Sequence, residues 1–168
     1  MVFVDTNVLV YARDASEPHK QPVAAEWLQR LWGDESGRTS IQVLNEYYVT
    51  VTRKLKPGLT PEEAWGDVKN LLAWRPQEIN RDLLLQAREV ERRHRLSWWD
   101  SMIVAAAQLQ HCTLLLTEDL QDGMVFDAVT VRNPFRMSVS EERAGYGAQA
   151  PVVPRHRPRG RPRRAPVR

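Results

Sequence analysis

A three-layer α/β/α sandwich around a mostly parallel central sheet is the fold class this sequence predicts, and three observations predict it. Short apolar runs alternate with helical patterns along the chain. The runs, TLLLT at 113–117 above all, are continuous rather than alternating, as in strands buried on both faces. The patterned part of the chain, about 135–150 residues, is the size of one domain with a real core.

The first strand is VFV at 2–4, ended by Asp5. VLVYA at 8–12 opens a short helix after the DTN turn. Beyond Ser16, the residues Val23, Ala24, Trp27, Leu28 and Leu31 recur at helical spacing, with Pro18 and Pro22 tolerable only near the start. Gly33 to Gly37 reads as a turn and RTSI at 38–41 as a second short strand. Val43, Leu44, Tyr47, Tyr48 and Val51 place a helix over 41–53, which Lys56-Pro57-Gly58 ends. Thr60-Pro61-Glu62-Glu63 supplies a cap, a proline at the first helical position and a glutamate at the third, so a helix starts there. Ala64, Trp65, Val68, Leu71 and Leu72 continue it. Glu78-Ile79 reads as a small strand. Asn80 caps a helix carrying Leu83, Leu84, Ala87 and Val90. The next helix runs from about Trp99 to His111, with Met102, Ile103, Ala106 and Leu109 on one face. TLLLT is the clearest strand, and VTVR at 129–132 is the last, closed by Asn133-Pro134.

Composition removes several classes. The formal net charge of +3 comes from 24 basic and 21 acidic residues. Residues 151–168 carry seven arginines and no acid, which leaves 17 basic against 21 acidic residues in 1–150. The body is therefore acidic and the basic character belongs to the tail. One cysteine, Cys112, allows neither an intramolecular disulfide nor a cysteine-based zinc cluster. The four histidines lack ligand spacing. No apolar run approaches a membrane span, and MVFVD is no secretory signal. A cytoplasmic protein with no membrane association is the expectation.

In parallel sheets, ligands bind beyond the carboxyl ends of the strands. Asp5 follows the first strand, and Glu118, Asp119 and Asp122 follow TLLLT. Asp100 lies in the first turn of the helix that feeds TLLLT, and Glu46 lies near the start of the helix after the second strand. Singly, each acid has an ordinary reading. Asp5 caps a helix, Asp100 closes a capping box with Ser97, Asp119 and Asp122 are turn residues, and Glu46 lies about 130° from its helix's apolar face. Together they converge on one edge. Carboxylates ~4 Å apart repel by ~4 kcal/mol at an effective dielectric of 20, so such a cluster needs a proton, a basic partner or a metal. Oxygen-only ligands select hard cations such as Mg²⁺, and such an ion suits phosphodiester hydrolysis. The chain has no glycine-rich phosphate loop and no GxSxG.

These pieces resemble the PIN-domain nucleases, in particular the VapC-like toxins of bacterial toxin–antitoxin pairs. The matching segments are FVDTNVLVYA at 3–12, TSIQVLNEYYVTVTRKL at 39–55, LSWWDSMIVAAA at 96–107 and LLLTEDLQDG at 114–123, with RNPF at 132–135 as a terminal signature. The resemblance spans residues 1–136 and leaves 137–168 as a Pro/Arg-rich extension. It implies that Asp5, Glu46, Asp100 and Asp119 form an acidic quartet. Asp5 and Asp100 would bind Mg²⁺ or Mn²⁺, Asp119 would be a further direct or water-mediated ligand, and Glu46 would orient or deprotonate the attacking water. Thr6, Asn7, Thr117 and Asp122 would support them. Glu118, Asp119 and Asp122 compete for the fourth position. The resemblance also implies an RNA substrate, 5′-phosphate and 3′-hydroxyl products, a neutralising antitoxin and a homodimer.

The tail has two readings. Arg155, Arg157, Arg159, Arg161, Arg163 and Arg164 suit an RNA-binding arm, since arginines contact phosphates and stack on bases, or they belong to a solvated extension without a role. Five prolines in the last 18 residues and no apolar periodicity predict a disordered segment. Among the six tryptophans, Trp27, Trp65 and one of Trp98 and Trp99 are expected in the core. The alternative for Trp98 or Trp99 is to stack on a base beside Asp100. Two rival functions stand against a ribonuclease. One is a catalytically silent fold that binds RNA or docks a protein. The other is a haloacid-dehalogenase-type phosphatase, which needs an Asp where this chain has Asn7.

Overall fold

The computed structural model describes residues 1–136, and the tail with its arginines lies outside the described residues. Five strands form one sheet: β1 (Val2–Val4), β2 (Gly37–Arg38), β3 (Leu114–Leu116), β4 (Val125–Phe126) and β5 (Val129–Arg132). The spatial order is β2-β1-β3-β5-β4. The pairs β1/β2, β1/β3 and β3/β5 are parallel, and β4/β5 is antiparallel. The helices are α1 (Thr6–Tyr11), α2 (Lys20–Gly33), α3 (Ile41–Arg53), α4 (Pro61–Leu71), α5 (Arg81–His94) and α6 (Trp98–Leu109). Leu114, Leu115 and Leu116 are all buried, so both faces of the central strand are covered. The predicted α/β class is the observed one.

The helices start where their caps demand. Ser40 Oγ accepts the Val43 N–H, Asn80 Oδ1 accepts the Leu83 N–H, and Thr60 with Glu63 closes a reciprocal capping box. The core runs through Phe3, Val8, Leu31, Val43, Leu83, Ile103, Leu115 and Phe126. Helix α6 is buried from Asp100 to Ala107 on every side, so it is an internal helix rather than an amphipathic one.

The structure corrects three expectations and adds one strand. Glu78-Ile79 is not a strand. Pairing stops at an isolated bridge between Ser40 and Gln77, because Asn80 already caps α5 and leaves no length for a ladder. Ile79 is left half exposed. Gly37 is the first residue of β2 rather than turn. A Cβ there would meet the Trp74 indole at 2.5 Å, so only glycine admits that ring. Trp65 is 52% exposed, because α4 buries Ala64, Val68 and Leu71 and the next position turns about 100° away. Strand β4 has no counterpart in the sequence reading, since two residues cannot display a period.

Candidate active site

Chain direction reverses at β1. The chain passes from β1 to its neighbour β2 on one side, then returns to β3 on the other. A crevice therefore opens at the carboxyl ends of β1 and β3. The parallel register sets Val4 opposite Leu116, and the ladder continues one bond further through Asp5 N–H to Leu116 O, 3.1 Å. Backbone pairing thus places Asp5 beside Thr117, residues separated by 112 positions.

Thr117 ties this crevice together. Its hydroxyl donates to Asp5 Oδ2 at 2.7 Å and accepts from Asn7 Nδ2 and the Asp119 N–H, both at 3.1 Å. One donor and two acceptor sites are the whole capacity of a hydroxyl, and all three are used. Asp5 Oδ1 accepts the Thr6 N–H at 2.7 Å, so its capping role and its place in the crevice coincide. Asn7 Nδ2 also lies 3.4 Å from Asp5 Oδ2. Both Asp5 and Thr117 are buried, with 1% and 0% exposure.

Thr6 carries the connection to Glu46, donating from Oγ1 to Oε2 at 3.1 Å, while Gln42 Nε2 donates to Oε1 at 3.0 Å. Glu46 is therefore a half-buried, oriented carboxylate and not the solvated residue its helical angle suggests. It lines an open cleft of about 760 Å³ together with Thr6, Asn7, Tyr11, Trp99 and Asp119. Asp100 is buried at the start of α6. Ser97 Oγ accepts its N–H at 3.1 Å and donates to its Oδ2 at 2.6 Å. Because α6 leads into β3, this first turn faces the same edge of the sheet.

The three candidates for the fourth acid separate. Glu118 binds Lys20 Nζ at 2.8 Å and Tyr11 OH at 2.5 Å. Burial acts to lower the Lys20 pKa, but its bonds to Glu118 and Tyr11 outweigh it and hold the ammonium above its usual value. Burial first, and then Glu118, raise the Tyr11 phenol. Asp122 Oδ1 accepts the Asn133 N–H at 2.9 Å, and Oδ2 lies 4.0 Å from Arg132. Of the three, Asp119 is the one that lines the cleft.

The residues fit a hard cation in chemistry. The donors are all oxygens, and Asn7 Oδ1 is buried without a hydrogen-bond partner, as an oxygen turned to a hydrated ion would be. Among the described residues, no three acids, histidines or cysteines form a complete cage. One or two carboxylates with retained waters is nonetheless what Mg²⁺ takes.

Sequence reasoning missed Gln42 and the Tyr11–Lys20–Glu118 group, while the Ser97–Asp100 cap it expected is present. Gln42 was recoverable, since it lies four residues before Glu46 on one helix face. Lys20 gives no local signal, because its partner lies 98 positions away.

The PIN domain family matches residues 2–128. The chain belongs to the PIN-domain family. Solved structures agree with this PIN fold. A toxin–antitoxin complex from Klebsiella pneumoniae superposes with a TM-score of 0.56 at 18% identity, covering 80% of this chain and 98% of that one. Mycobacterium tuberculosis VapC20, a toxin that cleaves the sarcin–ricin loop, gives 0.53 at 23% identity, over 68% and 87% of the two chains. FitAB bound to a DNA fragment gives 0.59 at 21% identity, over 82% and 98%. At these identities the likeness establishes the fold. No curated relative matches the sequence. Membership of the PIN family sets aside the haloacid-dehalogenase alternative. Among the described residues of this PIN domain, no helix is long and apolar enough to cross a membrane.

Proposed function

We propose that this PIN domain is a divalent-metal-dependent endoribonuclease and the toxin of a toxin–antitoxin pair. The observation that carries the reading is the Asp5–Thr117–Asn7 knot at the sheet's carboxyl edge, opening onto a cleft that bears Glu46 and Asp119. The toxin and RNA assignments draw support from the neighbours, one named as a sarcin–ricin-loop-cleaving toxin and another as a toxin–antitoxin complex.

Asp5 and Asp100 would hold Mg²⁺ or Mn²⁺, with Asp119 reaching it directly or through water. A bound ion supplies charge stabilisation at the phosphate and a lowered water pKa. Glu46 would accept the proton of the attacking water, since Thr6 and Gln42 orient both its oxygens at the cleft. Attack in line with the 3′ oxygen leaves a 5′-phosphate and a 3′-hydroxyl. Thr6, Asn7 and Thr117 keep the carboxylates in register. Asp122 supports the site more remotely, by fixing the chain after β5. The partners proposed are RNA, an antitoxin and a second copy of the chain. The tail arginines, Arg155 to Arg164, are an RNA-binding arm in this scheme, and deleting them should flatten the salt dependence of RNA binding.

Incubation of the purified chain with total RNA tests the reading. Cleavage is expected with Mg²⁺ and lost with EDTA, Asp5→Asn or Asp100→Asn. Glu46→Gln should lower the rate by about 10²–10⁴-fold while metal binding persists. Cleavage that survives EDTA and both aspartate substitutions would overturn the metal site. A chain that binds RNA without cutting it in any condition would favour the silent-fold alternative.

A further inference from the structure

We infer that Trp99 forms a nucleobase-stacking subsite at the mouth of the cleft, taking an unpaired base next to the scissile phosphate. This rests on the RNA-cleavage reading and extends it to how the substrate is held. The first turn of α6 is fixed by the Ser97 cap, and successive residues there point about 100° apart. Trp98 packs against the core, and Asp100 is 3% exposed. Trp99, between them, is 53% exposed and lines the cleft with Glu46 and Asp119. Val49, 41% exposed, lines the same cleft, so an apolar wall stands beside the carboxylates.

The arrangement suits a single-stranded polynucleotide in both its parts. Its phosphates suit the cation that the buried carboxylates would hold during cleavage, and its bases offer apolar faces that a stacking partner can take without that ion. An indole anchored beside the acids gives one base a stacking partner without reading its identity. A duplex presents no such face, so the subsite selects unpaired segments. Lys54 is the basic side chain among the described residues that line this cleft, and it suits a flanking phosphate.

The test uses the full chain in EDTA, so that binding is read without cleavage. Fluorescence anisotropy compares a labelled uridine decamer with a ribose-phosphate decamer of the same charge that lacks bases. Trp99→Ala should weaken uridine decamer binding by about 5- to 150-fold, and Trp99→Phe should stay near the wild type. The abasic decamer should bind both forms alike. Unchanged decamer binding in Trp99→Ala, equal weakening toward both decamers, or no RNA binding by the wild type would each overturn the inference. So would a change in oligomeric state by size exclusion that accounts for the loss, which would make Trp99 a protein-contact residue. Circular dichroism melts check that the variants fold. A Trp99 effect on binding in a chain that never cleaves with Mg²⁺ would overturn the nuclease reading alone. Cleavage with no Trp99 effect would overturn this inference alone.

Discussion

At the scale of single residues, Thr117 illustrates how one hydroxyl can register three segments. Its bonds reach the end of β1, the first turn of α1 and the loop after β3. Valine has the same shape but none of the polar capacity. Thr117→Val therefore takes the hydroxyl donor from the buried Asp5 carboxylate and an acceptor from the part-buried Asn7 amide and Asp119 N–H. It should cost about 1–3 kcal/mol in urea unfolding. It should also weaken Mn²⁺ binding by about 10–100-fold in calorimetry, while Thr117→Ser retains most of both. Equal stability and metal affinity in Thr117→Val would show that the network does not position Asp5. Cys112, by contrast, is buried and is not among the residues that line the cleft. Burial raises its thiol to about 11, so it stays protonated and inert near neutral pH.

At the scale of elements, local chemistry wrote the helices and hardly wrote the edge strands. Thr60, Pro61 and Glu63 set the start of α4 without help from the rest of the chain, and α3 and α5 begin where Ser40 and Asn80 cap them. Thr60→Ala should lower stability by about 0.5–2 kcal/mol in a thermal or urea melt at neutral pH. The pH dependence follows from Glu63. The Thr60 backbone and hydroxyl hold its pKa below the ordinary 4.5. A depressed carboxylate stabilises above its unfolded pKa and loses that contribution as pH falls through the folded one. The gap between wild type and Thr60→Ala should accordingly narrow in acid; a gap that widens below pH 4.5 would contradict the capping box. β4 and the Ser40–Gln77 bridge were illegible for a different reason. Segments of one or two residues pair only because neighbouring strands present free edges to them.

At the scale of the whole molecule, the site depends on a sheet whose centre is β3. Leu115 is fully buried there between β1 and β5. Leu115→Ala should cost about 2–5 kcal/mol in denaturant unfolding. Because Thr117 sits two residues on, the substitution should also loosen Asp5, read as weaker Mn²⁺ binding. A loss of stability without any change in metal affinity would mean that the crevice tolerates movement of the strand.

The sequence by itself picked out the candidate site residues and the elements that hold them. Asp5, Glu46 and Asp100 stand out because each follows a strand or lies near a helix start, and those boundaries are local properties of caps and apolar runs; Thr117 joins them only through the family resemblance. Only the tertiary structure separated the surroundings of Glu118, Asp119 and Asp122, with Asp119 lining the cleft. Lys20 engages the first and Asn133 the last, and both contacts join residues that chain order keeps apart. It likewise decided that Trp65 faces outward, that Trp98 joins the core and that Trp99 overlooks the cleft. Periodicity tells a residue which way it points on its own helix. What stands opposite depends on the strand order and on the helices that close over it.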